Sequence, residues 1–221
     1  MCFVKNIRIQ ILTSAMVFAF GANMALADFT FSGSGAIPDG NPVGLSSIGT
    51  VSGLPTYPYR VAAVSVMLDV SGVPSYGGFN GDLYAYLVGP DSSTRVDLIG
   101  SAAGDGTFSK AGSGMQITLS DSASQSYQNA VQTGGALFTG TYRPVVSLGK
   151  FIGLPSNGTW RLYIEDQSKG SVSTLNSWSL AISTASVPEP DQVAAMGLLG
   201  LMGLVAAGKG VVRKRKLENG K

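Results

Sequence analysis

Gly158-Thr159-Trp160-Arg161-Leu162-Tyr163-Ile164-Glu165-Asp166 and, a short Gly/Ser/Lys run later, Leu175-Asn176-Ser177-Trp178-Ser179-Leu180 are the two stretches that decide the fold. Large apolar residues occupy every second position: Trp160, Leu162 and Ile164 in the first, Trp178, Leu180 and Ile182 in the second. A period of two places such a set on one face of a strand, so each stretch reads as a strand led by an inward tryptophan. The same alternation recurs upstream. Ala62, Val64, Val66, Leu68 and Val70 form one inward set, Val96 and Leu98 another, and Met115, Ile117 and Leu119 a third. Leu83, Ala85 and Leu87 alternate with Tyr84, Tyr86 and Val88, which predicts a strand covered on both faces. Turn signals separate these runs at 74–78, Gly89-Pro90-Asp91, Gly104-Asp105-Gly106 and Ser156-Asn157-Gly158. The body shows neither sustained helical periodicity nor a solenoid or propeller repeat. About eight short strands predict an all-β fold, a sandwich or jelly roll, over residues 28–185.

Further motifs sharpen this reading. The last third runs from Gly135 through Phe138-Thr139-Gly140-Thr141-Tyr142-Arg143-Pro144 to the two tryptophan strands, with Ala36-Ile37-Pro38-Asp39 and Gly81-Asp82-Leu83 earlier. This ordered set strongly resembles the P domain (homo B domain) that follows the subtilisin-like catalytic domain in proprotein convertases. The resemblance covers most of residues 29–183 and implies a P-domain-like β jelly roll. Its signature positions here are Gly158, Trp160, Asp166, Asn176 and Trp178. Two departures stand out. No histidine precedes Gly81-Asp82-Leu83, and Ser120-Asp121 holds one aspartate where bacterial members often have two. Calcium sits near such carboxylates in some relatives, which makes Asp39, Asp121 and Asp166 the candidate ligands, with Glu165 beside them. Turn-forming or solvated acids explain them as well, because calcium needs six to eight oxygens gathered in one place. No metal or other cofactor is therefore assigned.

The two ends carry addresses. Lys5 and Arg8 precede a mostly apolar run from Ile9 to Phe20, and Ala25-Leu26-Ala27 is a small-x-small cleavage site. Residues 1–27 read as a signal peptide cut by signal peptidase after Ala27, leaving Asp28 first. At the other end Val187-Pro188-Glu189-Pro190 forms a stiff spacer. An uncharged apolar run follows from Val193 to Ala207, then Lys209 and Arg213-Lys214-Arg215-Lys216. Extended through Val212, with Lys209 snorkelling, the run reaches about the 20 residues that cross a bilayer core. The basic cluster belongs on the cytoplasmic side, which leaves the body outside. Residues 186–216 closely resemble the PEP-CTERM sorting signal of Gram-negative bacteria, which implies processing near Pro188-Glu189-Pro190 by an exosortase; residues 217–221 are a short polar tail. A plain membrane anchor is the alternative.

Composition excludes much chemistry. The chain has no histidine, so neither a Ser-His-Asp triad nor a histidine base or zinc site can be built within it. Its one cysteine, Cys2, lies in the leader, so the mature chain has neither a thiol nor a disulfide. The net charge is +2, yet residues 28–186 hold seven bases and ten acids, 7 − 10 = −3, which argues against nucleic acid. Glu165 and Asp166 are strand neighbours pointing to opposite faces and do not form a catalytic pair. Tyr57, Tyr59, Tyr76, Phe79, Tyr84 and Tyr86 could line a sugar platform, with Tyr57, Tyr59 and Tyr76 the expected exposed members; core and cross-strand packing accounts for them equally well. Asn157-Gly158-Thr159 matches a glycosylation sequon that a bacterial context leaves unused, and Arg60, Arg95, Arg143 and Arg161 read as scattered surface residues. The Thr-x-Thr array of a flat ice-binding face does not occur in the sequence.

The expected protein is thus a non-enzymatic one. It is exported, held transiently in the inner membrane, and delivered to the cell surface or outside, where its P-like domain binds or builds, with exopolysaccharide a candidate partner. The alternative is a module that docks in trans on a separate secreted subtilisin-like serine protease and stabilises it. A carboxylate-only glycosidase is a third, weaker reading for want of a facing acid pair.

Overall fold

The computed structural model describes residues 25–72, 79–100, 112, 114–132, 137–170 and 172–187. Strands β1 (Ala25–Ile37), β2 (Leu45–Val51) and β3 (Tyr59–Gly72) come first, then β4 (Leu83–Val88), β5 (Arg95–Ile99) and β6 (Met115–Leu119). After them come β7 (Phe138–Tyr142), β8 (Gly158–Asp166) and β9 (Ser173–Ser186), with short 3-10 turns at Asn80–Asp82 and Leu148–Phe151. One sheet has the order β1-β9-β3-β6-β7 and the other β2-β8-β4-β5. Neighbouring strands are antiparallel except β6 and β7, which run parallel.

The two sheets close on the apolar sets that alternation marks in the sequence. Val66, Leu68, Val70, Ile117, Trp178, Leu180 and Ile182 meet Leu83, Ala85, Leu87, Leu98, Trp160, Leu162 and Ile164 in one core. The tryptophans are fully buried in different settings. Trp178 packs at a tilt against Phe31, ring centroids 4.5 Å apart, and its Nε1–H donates to Ser47 Oγ at 2.9 Å. Trp160 meets the edge of Phe151 at 5.0 Å, and its Nε1 has no hydrogen-bond partner. An indole N–H left dry forfeits its hydration without a compensating bond.

Two details depart from simple alternation. In β3 the buried residue is Val61 and Ala62 is only half-buried, because the pairing with β9 shifts between Val61 and Ala63. A bulge inserts one residue and resets which side chains face the core. In β1 the register to β9 shifts between Ser32 and Gly35. A Cβ on Gly33 would stand 1.9 Å from the Leu175 carbonyl oxygen, so only glycine lets the two backbones approach there. The sequence reading also did not single out β1, β2 and β7 as strands; among the described residues there are nine strands, two of them 14 residues long.

The register fixes the two ends of the sandwich. Ala25 pairs with Thr184 and Ile37 with Ser173, so β1 starts where β9 finishes. The loop before β3, the loop before β8 and the β4–β5 turn gather at that same end: Val187 N–H donates to the Pro58 carbonyl at 2.9 Å and Gly153 N–H to the Val61 carbonyl at 2.9 Å. Asn157 takes both polar groups of the Leu54 backbone, accepting from its N–H and donating to its carbonyl. The loops after β1 and β8 lie at the opposite end.

Candidate functional site

At that opposite end three aspartates surround the loop that leaves β8. Asp166 ends the strand, Asp82 closes the 3-10 turn before its neighbour β4, and Asp39 follows β1. Ser168 N–H donates to Asp166 Oδ1 at 3.1 Å, and Gly170 N–H reaches both oxygens of Asp39 at 3.0 and 3.1 Å. Gln167 N–H donates to the Asp82 carbonyl at 3.0 Å, and the Asp82 carboxyl is hydrogen-bonded to the Ser168 side chain. Asp166 is fully buried and its Oδ2 has no hydrogen-bond partner. Burial pushes its carboxyl up to about 6; the Ser168 N–H opposes the rise, and the charges of Asp82 and Asp39 add to it. Burial raises Asp82 in the same direction. A cleft of about 240 Å³ opens beside them between Gly40, Asn41 and Pro42 on one wall and Glu165, Asp166 and Gln167 on the other.

From the cleft a polar aromatic strip crosses the outer face of the second sheet. The Tyr163 hydroxyl shares its proton between the Pro42 carbonyl and Glu165, which also accepts from Gln167 Nε2. Tyr163 pairs across the strands with Tyr86 and stacks on it at 4.6 Å. The Arg95 guanidinium covers Tyr86 at 3.8 Å and pairs with Asp97 at 3.0 Å. Tyr84 donates to Asp97 Oδ1 at 2.8 Å, and burial together with that carboxylate raises its hydroxyl to about 12. The strip offers protonated phenols, a guanidinium and carboxylates. These are groups that hydrogen-bond and stack.

The sequence-derived candidates scatter. Trp160 and Trp178 are core residues. Gly158 opens β8 with φ +137°, a conformation that favours glycine. Asn176 is exposed on β9, donating to Asp69 Oδ1 and accepting from Ser71 Oγ. As the alternation required, Glu165 faces outward while Asp166 faces in. The calcium candidates do not converge. Asp39 and Asp166 share one loop, whereas Asp121 lies at the other end. There it accepts from Leu148 N–H, Gly149 N–H and Ser147 Oγ at 3.0, 2.9 and 2.8 Å and so caps the 3-10 turn Leu148–Phe151. Leu119 pairs with Val66 and Ser173 with Gly72, six residues further along β3, roughly 20 Å at strand spacing. Among the described residues no three acidic side chains form a metal-holding group. Their oxygens, filled largely by backbone N–H, do not fit a calcium ion.

Tyr57 is 61% exposed and Tyr59 is half-buried in β3, while Tyr76 lies outside the described residues. The aromatic face that does form is built by Tyr84, Tyr86 and Tyr163. Sequence reading missed Tyr163 and Arg95 because only the pairing of Tyr86 with Tyr163 and of Val88 with Arg95 brings them together. Ala25 and Ala27 lie at the start of β1, so a cut after Ala27 would leave Asp28, opposite Ala181, as the first paired residue. Pro188, Glu189 and Pro190, the apolar run and Arg213, Lys214, Arg215 and Lys216 lie outside the described residues.

Residues 110–182 match the proprotein convertase P-domain. The P-domain match starts just before β6 and ends at Ile182 in β9, so it takes in both tryptophan strands and the crossover between β6 and β7. P-domains are non-catalytic β-sandwich modules, and no catalytic domain is detected. No curated protein matches the chain. Among solved structures, the crystal structure of Aeromonas sobria serine protease (ASP) in complex with the chaperone ORF2 is similar at 20% identity and a TM-score of 0.46. That similarity covers 75% of this chain and 27% of the other, so the chain spans about a quarter of the protein it resembles.

Proposed function

We propose that this protein is an exported bacterial surface or matrix protein whose P-domain-like jelly roll is a non-catalytic binding or structural module. The observation that carries the reading is the use of the chain. The described strands between Ala25 and Ser186 build a sandwich, residues 110–182 match a P-domain, and the sequence has no histidine for a protease triad within it. The order Pro188-Glu189-Pro190, apolar run, Arg213 to Lys216 supports delivery through the inner membrane and processing by an exosortase, after signal peptidase has acted at Ala25-Leu26-Ala27. The tyrosine strip and adjoining cleft suit a polar ligand rich in hydroxyls, such as exopolysaccharide.

Intact-mass analysis of membrane, surface and medium fractions tests the reading. The expected mature chain begins at Asp28 and ends near Pro190, outside the inner membrane. A full-length tail retained in the inner membrane would overturn the sorting step. The P-domain match favours a second reading, in which the sandwich docks in trans on a separate secreted serine protease. Co-purification of such a protease with the surface fraction would favour that docking role.

A further inference from the structure

We propose that the end of the sandwich where both termini leave is built to rest on the lipid surface. This rests on reading the tail as membrane-inserted. Because β1 and β9 are antiparallel neighbours with Ala25 opposite Thr184, the chain enters and leaves the fold side by side. The apolar run of the tail is therefore tied to the end at which β1 starts. The tether is short. Val187 is fastened to the Pro58 carbonyl, and only five residues separate it from Val193, where the apolar run begins. Fully extended, five residues span about 18 Å. The end of the sandwich cannot stand far from the headgroups.

The surface found there suits that position. Tyr57, Ile152 and Val187 are 61%, 57% and 47% exposed. Backbone bonds from Val187 to Pro58, from Gly153 to Val61 and from Val61 to Leu154 hold the three segments together. The Arg60 guanidinium lies over the Tyr57 ring at 5.4 Å. Single exposed apolar residues are ordinary on any protein surface. Val43, Val172 and Phe79 are exposed at the opposite end as well; what this end adds is that backbone bonds join the three segments at the chain exit, with an aromatic ring and a cation of the kind that settles at headgroup level. Asp39, Asp82, Glu165 and Asp166 occupy the opposite end, whereas Asp28, Asp91 and Asp121 at this end are offset by Arg60, Lys150 and Arg161, so charge also favours this end facing an anionic bilayer. The same orientation holds the cleft and the acid cluster away from the membrane.

The mature chain from Asp28 to Lys221, which carries no cysteine, reconstituted into phosphatidylethanolamine–phosphatidylglycerol vesicles, provides the test. A polarity-sensitive fluorophore is placed at Tyr57→Cys, at Ile152→Cys, or at Val43→Cys, which is 75% exposed at the far end. Labels at 57 and 152 are expected to shift to the blue and to be quenched by lipid-borne quenchers several-fold more strongly than the label at 43. Two positions are used because Tyr57 neighbours a packed turn, whereas Ile152 is simply exposed. Resistance of the protein to carbonate extraction reports the tail separately. Release by carbonate would overturn the tail reading and this inference together. A retained tail with labels at 57 and 152 no better quenched than that at 43 would overturn this inference alone.

Discussion

Asp166 holds one carboxylate oxygen against the Ser168 N–H and leaves the other without a partner in a fully buried place. Its carboxyl titrates near 6 in the folded chain against an ordinary 3.8, so between about pH 4 and 6 the folded state keeps a proton that the unfolded chain has lost. Stability from this group is therefore fully present below pH 4 and falls as pH rises through 6. The shift corresponds to about 2 to 3 kcal/mol at neutral pH. Asp166→Asn keeps an oxygen for Ser168 and sets an amide against the Asp82 and Asp39 charges. Urea unfolding at pH 4, 5, 6 and 7 is expected to lose most of its decline in the variant, with the gain over wild type growing from pH 4 to 6 and levelling off above it. A variant that kept the wild-type slope would show that the proton sits elsewhere. At this scale the sequence was legible in part. It marked Asp166, Trp160 and Trp178 as special through alternation and resemblance, and it placed Glu165 and Asp166 on opposite faces. It did not reveal that Asp121 is a cap, because Asp121 reaches Gly149, 28 residues away.

The strands were the most legible elements where one face is apolar and the other polar, as in β6, β8 and β9. Alternation failed where the backbone slips by one residue. Ala62 belongs to a perfect period-two series on paper, yet the bulge in β3 passes its inward place to Val61. β1 escaped notice because its start overlaps the stretch read as a leader and its middle is interrupted by Gly33-Ser34-Gly35. That interruption is where the β1–β9 register changes, and Gly33→Ala would push a methyl group into the Leu175 carbonyl. Neither backbone can move without breaking ladder bonds on one side of the shift. The substitution is expected to cost about 2 to 4 kcal/mol, read as a lower urea midpoint at unchanged slope. A loss under 0.5 kcal/mol would show that β1 is held loosely enough to peel away.

On the scale of the whole molecule, β9 is the strand on which the first sheet depends. It lies between β1 and β3, and it supplies Trp178, Leu180 and Ile182 to the core. Removing residues 173–187 would strip β1 of its only sheet neighbour among the described strands and open one wall of the core. A chain ending at residue 172 is expected to lose the near-ultraviolet circular dichroism of Trp160 and to unfold without a cooperative transition. A cooperative transition in that chain would mean that the second sheet folds alone. The two-sheet architecture was legible from the number and spacing of the apolar sets. The strand order was not, since β9 sits beside β1 and β3, far away in sequence.

That order also sets a clock. A chain that emerges amino end first, whether from a ribosome or through a membrane pore, presents β1 long before β9 exists to receive it. Until residue 186 has appeared, the first sheet lacks the strand that joins β1 to β3, and β1 must wait with its backbone groups turned to water. The domain thus closes only when its last strand has been delivered. Any pore that passed it would meet a pliant thread, and the finished sandwich would lock only once residue 186 was through.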